Sequence, residues 1–194
     1  MTDTKINPKD VEDIGNSFLP DGYQIPEPTT GYMKYKRGEN KFRILDSAIV
    51  GHELWVEGKP LRKRKKDEFT PDELAKADTN KYTGKQRVPT AFWAFPVYNY
   101  EAKQVQILEV TQVTIMRGIE SYLSDEDYGK DPKKYDLVVV QYEAETGKIE
   151  YSVKPKPPKE MEEGIFQYYS DLGIKIEVMF EGGDPFKDLN HAIH

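Results

Sequence analysis

The sequence predicts a mainly β chain with minor α content, an elaborated antiparallel barrel with one capping helix and long inter-strand excursions. Three observations carry that expectation. Short segments rich in β-branched and aromatic residues recur at 41–50, 90–111, 135–142 and 149–153, with glycine, proline or asparagine at or within a few residues of an end. Only one stretch, from Thr111, holds apolar residues at sustained helical spacing: Ile115, Ile119 and Leu123, with Met116 and Tyr122. The remaining connections are polar and long enough to be excursions instead of turns.

In chain order, residues 1–30 contain Pro8, Pro20, Pro26 and Pro28 and read as a flexible amino-terminal arm, with Val11, Ile14, Phe18 and Leu19 at roughly helical spacing inside it. Tyr32 to Tyr35 is short and extended. The turn Arg37-Gly38-Glu39-Asn40 precedes a strand through Phe42 and Ile44, which Gly51 breaks or bends before a second extended piece from Glu53 to Val56. Residues 57–90 then form a long basic excursion. Inside it, Thr70-Pro71-Asp72-Glu73 has the form of a capping box: a threonine N-cap, proline at the first helical position and a glutamate three residues after the cap.

Residues 90–111 are the densest aromatic stretch and read as a hairpin. A three-residue loop, Glu101-Ala102-Lys103, would oppose Tyr100 to Gln104 and Tyr98 to Gln106. That register sorts the side chains into two faces. Trp93, Phe95, Val97, Val105 and Ile107 would be core, and Phe92, Tyr98 and Tyr100 would form a wet aromatic surface. An even-numbered loop would invert the partition, because one residue of slip moves every side chain to the other face. Thr111 is the expected cap of the following helix. A strand over 135–142, a turn at Glu145-Thr146-Gly147, and a strand over 149–153 come next. Residues 161–173 suggest a second helix, 174–180 a short strand, and the last residues a loosely ordered end.

Composition narrows the function classes. Hydrophobic residues are 37% and charged ones 32%, so the aromatic 12% must supply much of the apolar surface. There is no cysteine, which removes disulfides, thiolate catalysis and thiolate zinc sites, and points to a cytoplasmic protein. No apolar run reaches the roughly 20 residues of a membrane span, and the amino terminus lacks the pattern of a signal peptide. His52, His191 and His194 are too scattered for a metal triad, and no phosphate loop, nucleotide fingerprint or nucleophile elbow is present; no cofactor and no enzyme is expected. Asp125, Glu126, Asp127 and Asp131 could be read as a magnesium cluster, or as a solvated loop ending a helix.

Net charge is −6, unevenly placed. Residues 59–87 hold ten basic and five acidic side chains, whereas 160–194 hold eight acidic and two basic. The basic run reads either as a solvated loop or as a polyanion site. Its neighbourhood favours the second reading, because single-stranded nucleic acid asks for a cationic groove and for rings on which unpaired bases stack. Candidate phosphate contacts are Arg62, Lys63, Arg64, Lys65, Lys66, Lys81, Lys85 and Arg87. Candidate stacking rings are Phe92, Tyr98 and Tyr100, with Tyr82 and Trp55; the alternative for any of them is burial in the core.

Hairpin-joined strands with a helix before the last two fit a small OB-fold-like Greek-key barrel, and also a generic α+β sandwich. Read together, YMKYKRGENKFRIL, GHELW, FWAFPVYNYEAKQVQILEVTQVTIMRGI, EDYGKDPKKYDLVVV and EYSVKPKPP resemble a family of bacteriophage single-stranded-DNA-binding replication proteins with an OB-type core, over residues 31–158. The resemblance implies a non-catalytic protein that coats single-stranded DNA during phage replication, recombination and repair in the host cytoplasm. It also implies base contacts at Trp55, Phe92, Trp93, Tyr98 and Tyr100. The acidic segment 159–194 resembles the partner-recruiting tails of such proteins in charge, making replication proteins its expected partners, although it ends in NHAIH instead of an acidic, phenylalanine-terminated tip. The competing function is an aromatic-surface protein-interaction module, such as a phage regulator of a host or replisome enzyme.

Overall fold

A computed structural model describes residues 31–187. The arm and the last seven residues, with the helical spacing at Val11 to Leu19, lie outside them. The described chain is mainly β: eight strands form one mixed sheet in which β1 (Tyr32–Met33), β6 (Gln104–Val110), β5 (Thr90–Asn99), β2 (Gly38–Ile44), β7 (Asp136–Glu143) and β8 (Ile149–Pro155) follow one another across the sheet. β3 (Ile49–Val56) pairs with β5 beyond the end of β2, and β4 (Lys59–Lys63) hairpins onto β3. The sheet does not close into a barrel. β1 runs parallel on the outer edge of β6, while β8 pairs with β7 alone.

β5 organises the sheet. Its Val97–Asn99 end pairs with β2 and its Thr90–Ala94 end with β3, so β2 and β3 are one path kinked at residues 45–48. Pro96 sits at the kink. Its carbonyl accepts from Leu45 N at 3.0 Å, and a strand residue points its N–H and C=O the same way, so the missing proline donor falls where the neighbouring chain bends off the ladder. Gly51, expected to break this strand, lies inside β3. A Cβ there would stand 2.5 Å from the Lys63 carbonyl oxygen and 2.8 Å from Phe180 Cε1, so glycine serves a close approach and not a break.

The β5–β6 register differs by one residue from the expected one. Asn99 pairs with Gln104 and Tyr98 with Val105, which leaves a four-residue loop, Tyr100 to Lys103. The Asn99 carboxamide oxygen accepts from Glu101 N (3.0 Å) and Ala102 N (3.3 Å), and Lys103 takes φ +53°, so an asparagine turn followed by a left-handed residue replaces the three-residue loop.

Both faces of this hairpin are buried. On one side Phe95, Val97, Leu108 and Val110 meet Phe42, Ile44, Leu137 and Val139 and are covered by α2 (Val113–Leu123) through Ile115, Met116 and Ile119. The α2 stripe is the predicted one, but its N-cap is Gln112 and not Thr111, and no side chain caps it. α2 also packs on β8 so closely that a Cβ on Gly118 would lie 2.6 Å from Val153 Cγ2. On the other side Phe92, Ala94 and Ile107 are covered by Met179 and Phe180, and Val105 by Ile165 of α3 (Ile165–Leu172). The carboxy-terminal segment is therefore part of the core up to Phe186, whose ring stands edge-on to Tyr32 at 5.5 Å. The strand expected at 174–180 is a 3-10 helix, Ile176–Glu181, because this stretch crosses a sheet face instead of joining an edge and must satisfy its backbone locally.

The basic excursion is likewise more ordered than expected. Lys59–Lys63 is an edge strand, a position that tolerates both lysine and Pro60. α1 (Pro71–Ala75) has the predicted capping box, with Glu73 N donating to Thr70 Oγ1 and Thr70 N to Glu73 Oε2. Leu54, Phe69 and Ala77 form a small core beneath it.

Candidate nucleic-acid interface

The candidate residues divide according to what the fold does with them. Phe92 is fully buried, with Phe180 at 5.9 Å between ring centroids. Trp93 is half-buried against the α2-side core. Tyr98 and Tyr100 are half-buried and edge-on to each other at 5.2 Å; Tyr98 packs among Met161, Tyr168 and Tyr169. The Tyr100 hydroxyl donates to Asp136 Oδ1 at 2.8 Å, and Lys41 lies over its ring at 4.1 Å. Burial, and then that hydrogen bond, push the Tyr100 phenol well above its ordinary range. The wet aromatic face expected of Phe92, Tyr98 and Tyr100 is not present: the carboxy-terminal segment covers Phe92 and packs in the same cluster as Tyr98, while Asp136, Lys41 and Lys159 gather round Tyr100.

The basic run divides in the same way. Arg62 is a buried bridge: its side chain, 9% exposed, pairs with both Glu53 and Glu109. Lys63 holds Glu73 Oε2 at 2.6 Å and so pins α1 to β4. Arg64 pairs with Glu177 at 2.6 Å and stacks on Phe180 at 4.5 Å, which ties the basic run to the carboxy-terminal segment. Lys65, Lys66, Lys81 and Lys85 are exposed and have no ion-pair partner among the described residues. Tyr82 is 98% exposed.

Of the remaining candidates, Lys85 and Arg87 come together with Trp55. The ring is exposed at the end of β3, and Glu53 fixes its orientation by accepting from Nε1 at 2.8 Å. Asp78 N donates to the Trp55 carbonyl, and Arg87 N to the Asp78 carbonyl, each at 2.8 Å. This tether brings the 80–88 loop alongside and sets the Arg87 guanidinium 5.8 Å from the indole. Trp55 divides two clefts. The smaller, about 360 Å³, is walled by Asn80, Lys85 and Arg87. The larger, about 590 Å³, runs into the gap where β1 and β6 fail to meet β7 and β8; Tyr32, Tyr35, Tyr151, Gln112 and Gln141 line it, with Arg62 and Glu109 also on its wall.

Tyr35 and Tyr151 stand 5.5 Å apart in that gap. The Tyr35 hydroxyl is enclosed and has no hydrogen-bond partner among the described residues, and burial raises its pKa far above the ordinary phenol value, with Tyr151 adding to the effect. Burial also raises the Glu109 carboxyl; Arg62 opposes the rise and Glu53 reinforces it. Tyr35 and Tyr151 are not among the residues that the sequence singles out, and the signal is faint: two tyrosines on separate strands become neighbours only because the sheet curls without closing. Among the described residues no three histidine or acidic side chains converge as a metal site would require, and no helix is long and apolar enough to cross a membrane. No family model matches the chain, and neither a curated protein nor a solved structure matches it.

Proposed function

We propose that the chain binds single-stranded nucleic acid, DNA in the first instance, along the clefts on either side of Trp55. The observation that carries this reading is the placing of one exposed indole between two clefts, under Arg87 and beside Lys85, which has no ion-pair partner among the described residues. Unpaired bases offer π-faces to such a ring, with a stacked base worth about 1–3 kcal/mol, and the cations follow the phosphates. Strand order adds support. The order β6-β5-β2-β7-β8 with α2 between β6 and β7 is the one that an opened OB-type sheet would have, and barrels of that type bind oligonucleotides through one sheet face and its flanking loops. The resemblance to phage replication proteins points the same way and makes the role a passive coating of exposed strands, with duplex excluded because its bases are already stacked.

The test is a tryptophan-fluorescence titration with single-stranded oligonucleotides, matched duplex and heparin at two salt concentrations. Quenching by single strands alone, weakening with salt and lost in Trp55→Ala, is the expected result. Weak, equal retention of all three polyanions would sink the proposal and favour the protein-interaction module.

A further inference from the structure

The larger cleft carries more than a stacking surface, and the role assigned to it rests on the single-strand reading. Its wall carries one exposed cation with no ion-pair partner among the described residues, Lys34, while Arg62 is engaged by Glu53 and Glu109. These four groups together are neutral, so the wall does not select a phosphate over an uncharged base. Arg62 meets Glu109 through Oε1, which leaves Oε2 without a partner among the described residues, and the Glu109 side chain is 30% exposed on the cleft wall. The Gln141 carboxamide lines the same cleft and makes no hydrogen bond among the described residues. The space, about 590 Å³, admits a nucleobase, and Trp55 and Tyr151 supply flat apolar walls.

The geometry points to a base-reading pocket in which Glu109 accepts a hydrogen bond from the exocyclic amino group of an inserted base, so that amino-bearing bases are preferred to thymine. A carboxylate is an acceptor only, and it pairs with the N4 amino group of cytosine. Thymine has O4 where cytosine has the N4 amino group, so in the same pose it would set a carbonyl oxygen against Oε2 and keep N3–H as its only donor on that edge. Cytosine and thymine are both small pyrimidines, so comparing them removes most of the difference in self-stacking that confounds purine runs.

The experiment titrates the full chain with oligo-dC, oligo-dT and an oligo-dC whose cytosines are dimethylated at N4, all of equal length and at one salt concentration. We expect oligo-dC to bind about five-fold or more tighter than oligo-dT, the equivalent of about 1 kcal/mol. Dimethylation should abolish that advantage by removing both donors without altering the protein. Glu109→Gln should bring the dC to dT ratio toward unity with the salt slope unchanged. Equal binding of oligo-dC and oligo-dT, a preference for oligo-dT, or an advantage that survives dimethylation would overturn the pocket while leaving single-strand binding intact. No binding to any of the three would overturn both.

Discussion

Arg43 Nε donates to Asp136 Oδ1 over 2.6 Å, and each side chain is only 1% exposed. The pair links β2 to β7 at the point where the sheet turns. The Arg43 Nη1 group also donates to the Lys133 and Lys159 carbonyl oxygens, so one guanidinium anchors the chain on both sides of the β7–β8 hairpin. Removing Asp136 strands the buried Arg43 charge, which typically costs about 3–5 kcal/mol, whereas removing Arg43 leaves Asp136 with Lys41 at 3.0 Å and Lys159 at 3.3 Å. Asp136→Ala should therefore lose stability on that scale in equilibrium urea unfolding, and Arg43→Ala should lose less. A loss under about 1 kcal/mol in Asp136→Ala would show the pair to be replaceable.

The same site sets an acid limit. Burial by itself would raise the Asp136 carboxyl, but hydrogen bonds from Lys41, Tyr100 and Arg43, with the Arg43 charge, outweigh it and hold the pKa below the ordinary 3.8. A depressed folded pKa means that the contribution is fully present above the unfolded value and is lost as pH falls through the folded one. Stability measured from about pH 6 downward should therefore decline below about pH 4, and Asp136→Asn should flatten that decline.

Gly118 of α2 faces Val153 of β8, and an added Cβ would lie 2.6 Å from Val153 Cγ2 and 2.8 Å from Val153 Cβ. Two effects compete in Gly118→Ala. Alanine favours the helix by about 1 kcal/mol, and overpacking costs about 1–3 kcal/mol. The clash is with the stiff, branched end of a valine, so the net effect should be a lower melting temperature. Gly118→Ala combined with Val153→Ala should recover the helix gain, and a double-mutant cycle with no coupling would refute the contact.

The fold is legible in the sequence wherever a local rule agrees with its surroundings. The capping box at Thr70 and Glu73 needs only neighbours in sequence, and the α2 stripe needs a single buried face, so both are found as read. The β5–β6 register is not legible, because register follows from one apolar face and here there are two. Phe92, Val105 and Ile107 lie under the carboxy-terminal segment, and Phe95 and Val97 under α2. That covering segment misleads in its turn. Ile174, Ile176, Val178 and Phe180 alternate as a strand would, yet only Met179 among 174–180 is fully buried, a fact set by packing across the sheet. Of the site, Trp55, Lys85 and Arg87 are readable as types in a basic stretch. The pairing of Tyr35 with Tyr151 is not, since it spans the gap in an unclosed sheet.

The carboxy-terminal segment should be held by packing more than by its charge. The Arg64–Glu177 pair has side chains 62% and 60% exposed, and exposed pairs contribute at most about 1 kcal/mol. Met179 is 1% exposed beneath the sheet, and truncating a buried methionine costs about 2–5 kcal/mol. Glu177→Ala should therefore leave the melting temperature nearly unchanged, while Met179→Ala should lower it clearly. Deleting residues 160–194 should uncover Phe92 and Ile107 and raise the binding of a hydrophobic dye. If Glu177→Ala matched the deletion, charge would be the tether.

The cations near Trp55 differ in what they can give a polyanion, and salt dependence separates them. Each phosphate neutralised on a single strand contributes about −0.7 to the slope of log affinity against log salt. Lys85 is exposed on the smaller cleft with no ion-pair partner among the described residues, and Arg87 stands over the indole, so Lys85→Ala and Arg87→Ala should each weaken binding and make the slope shallower by up to about that amount. Arg62 is already committed to Glu53 and Glu109. Arg62→Ala should leave two carboxylates buried beside each other, so its effect should appear as lost stability in urea unfolding before any change in slope. An Arg62→Ala protein that folds normally and shows the larger slope change would place the phosphates in the wide cleft and contradict the division of bases and backbone drawn from this geometry.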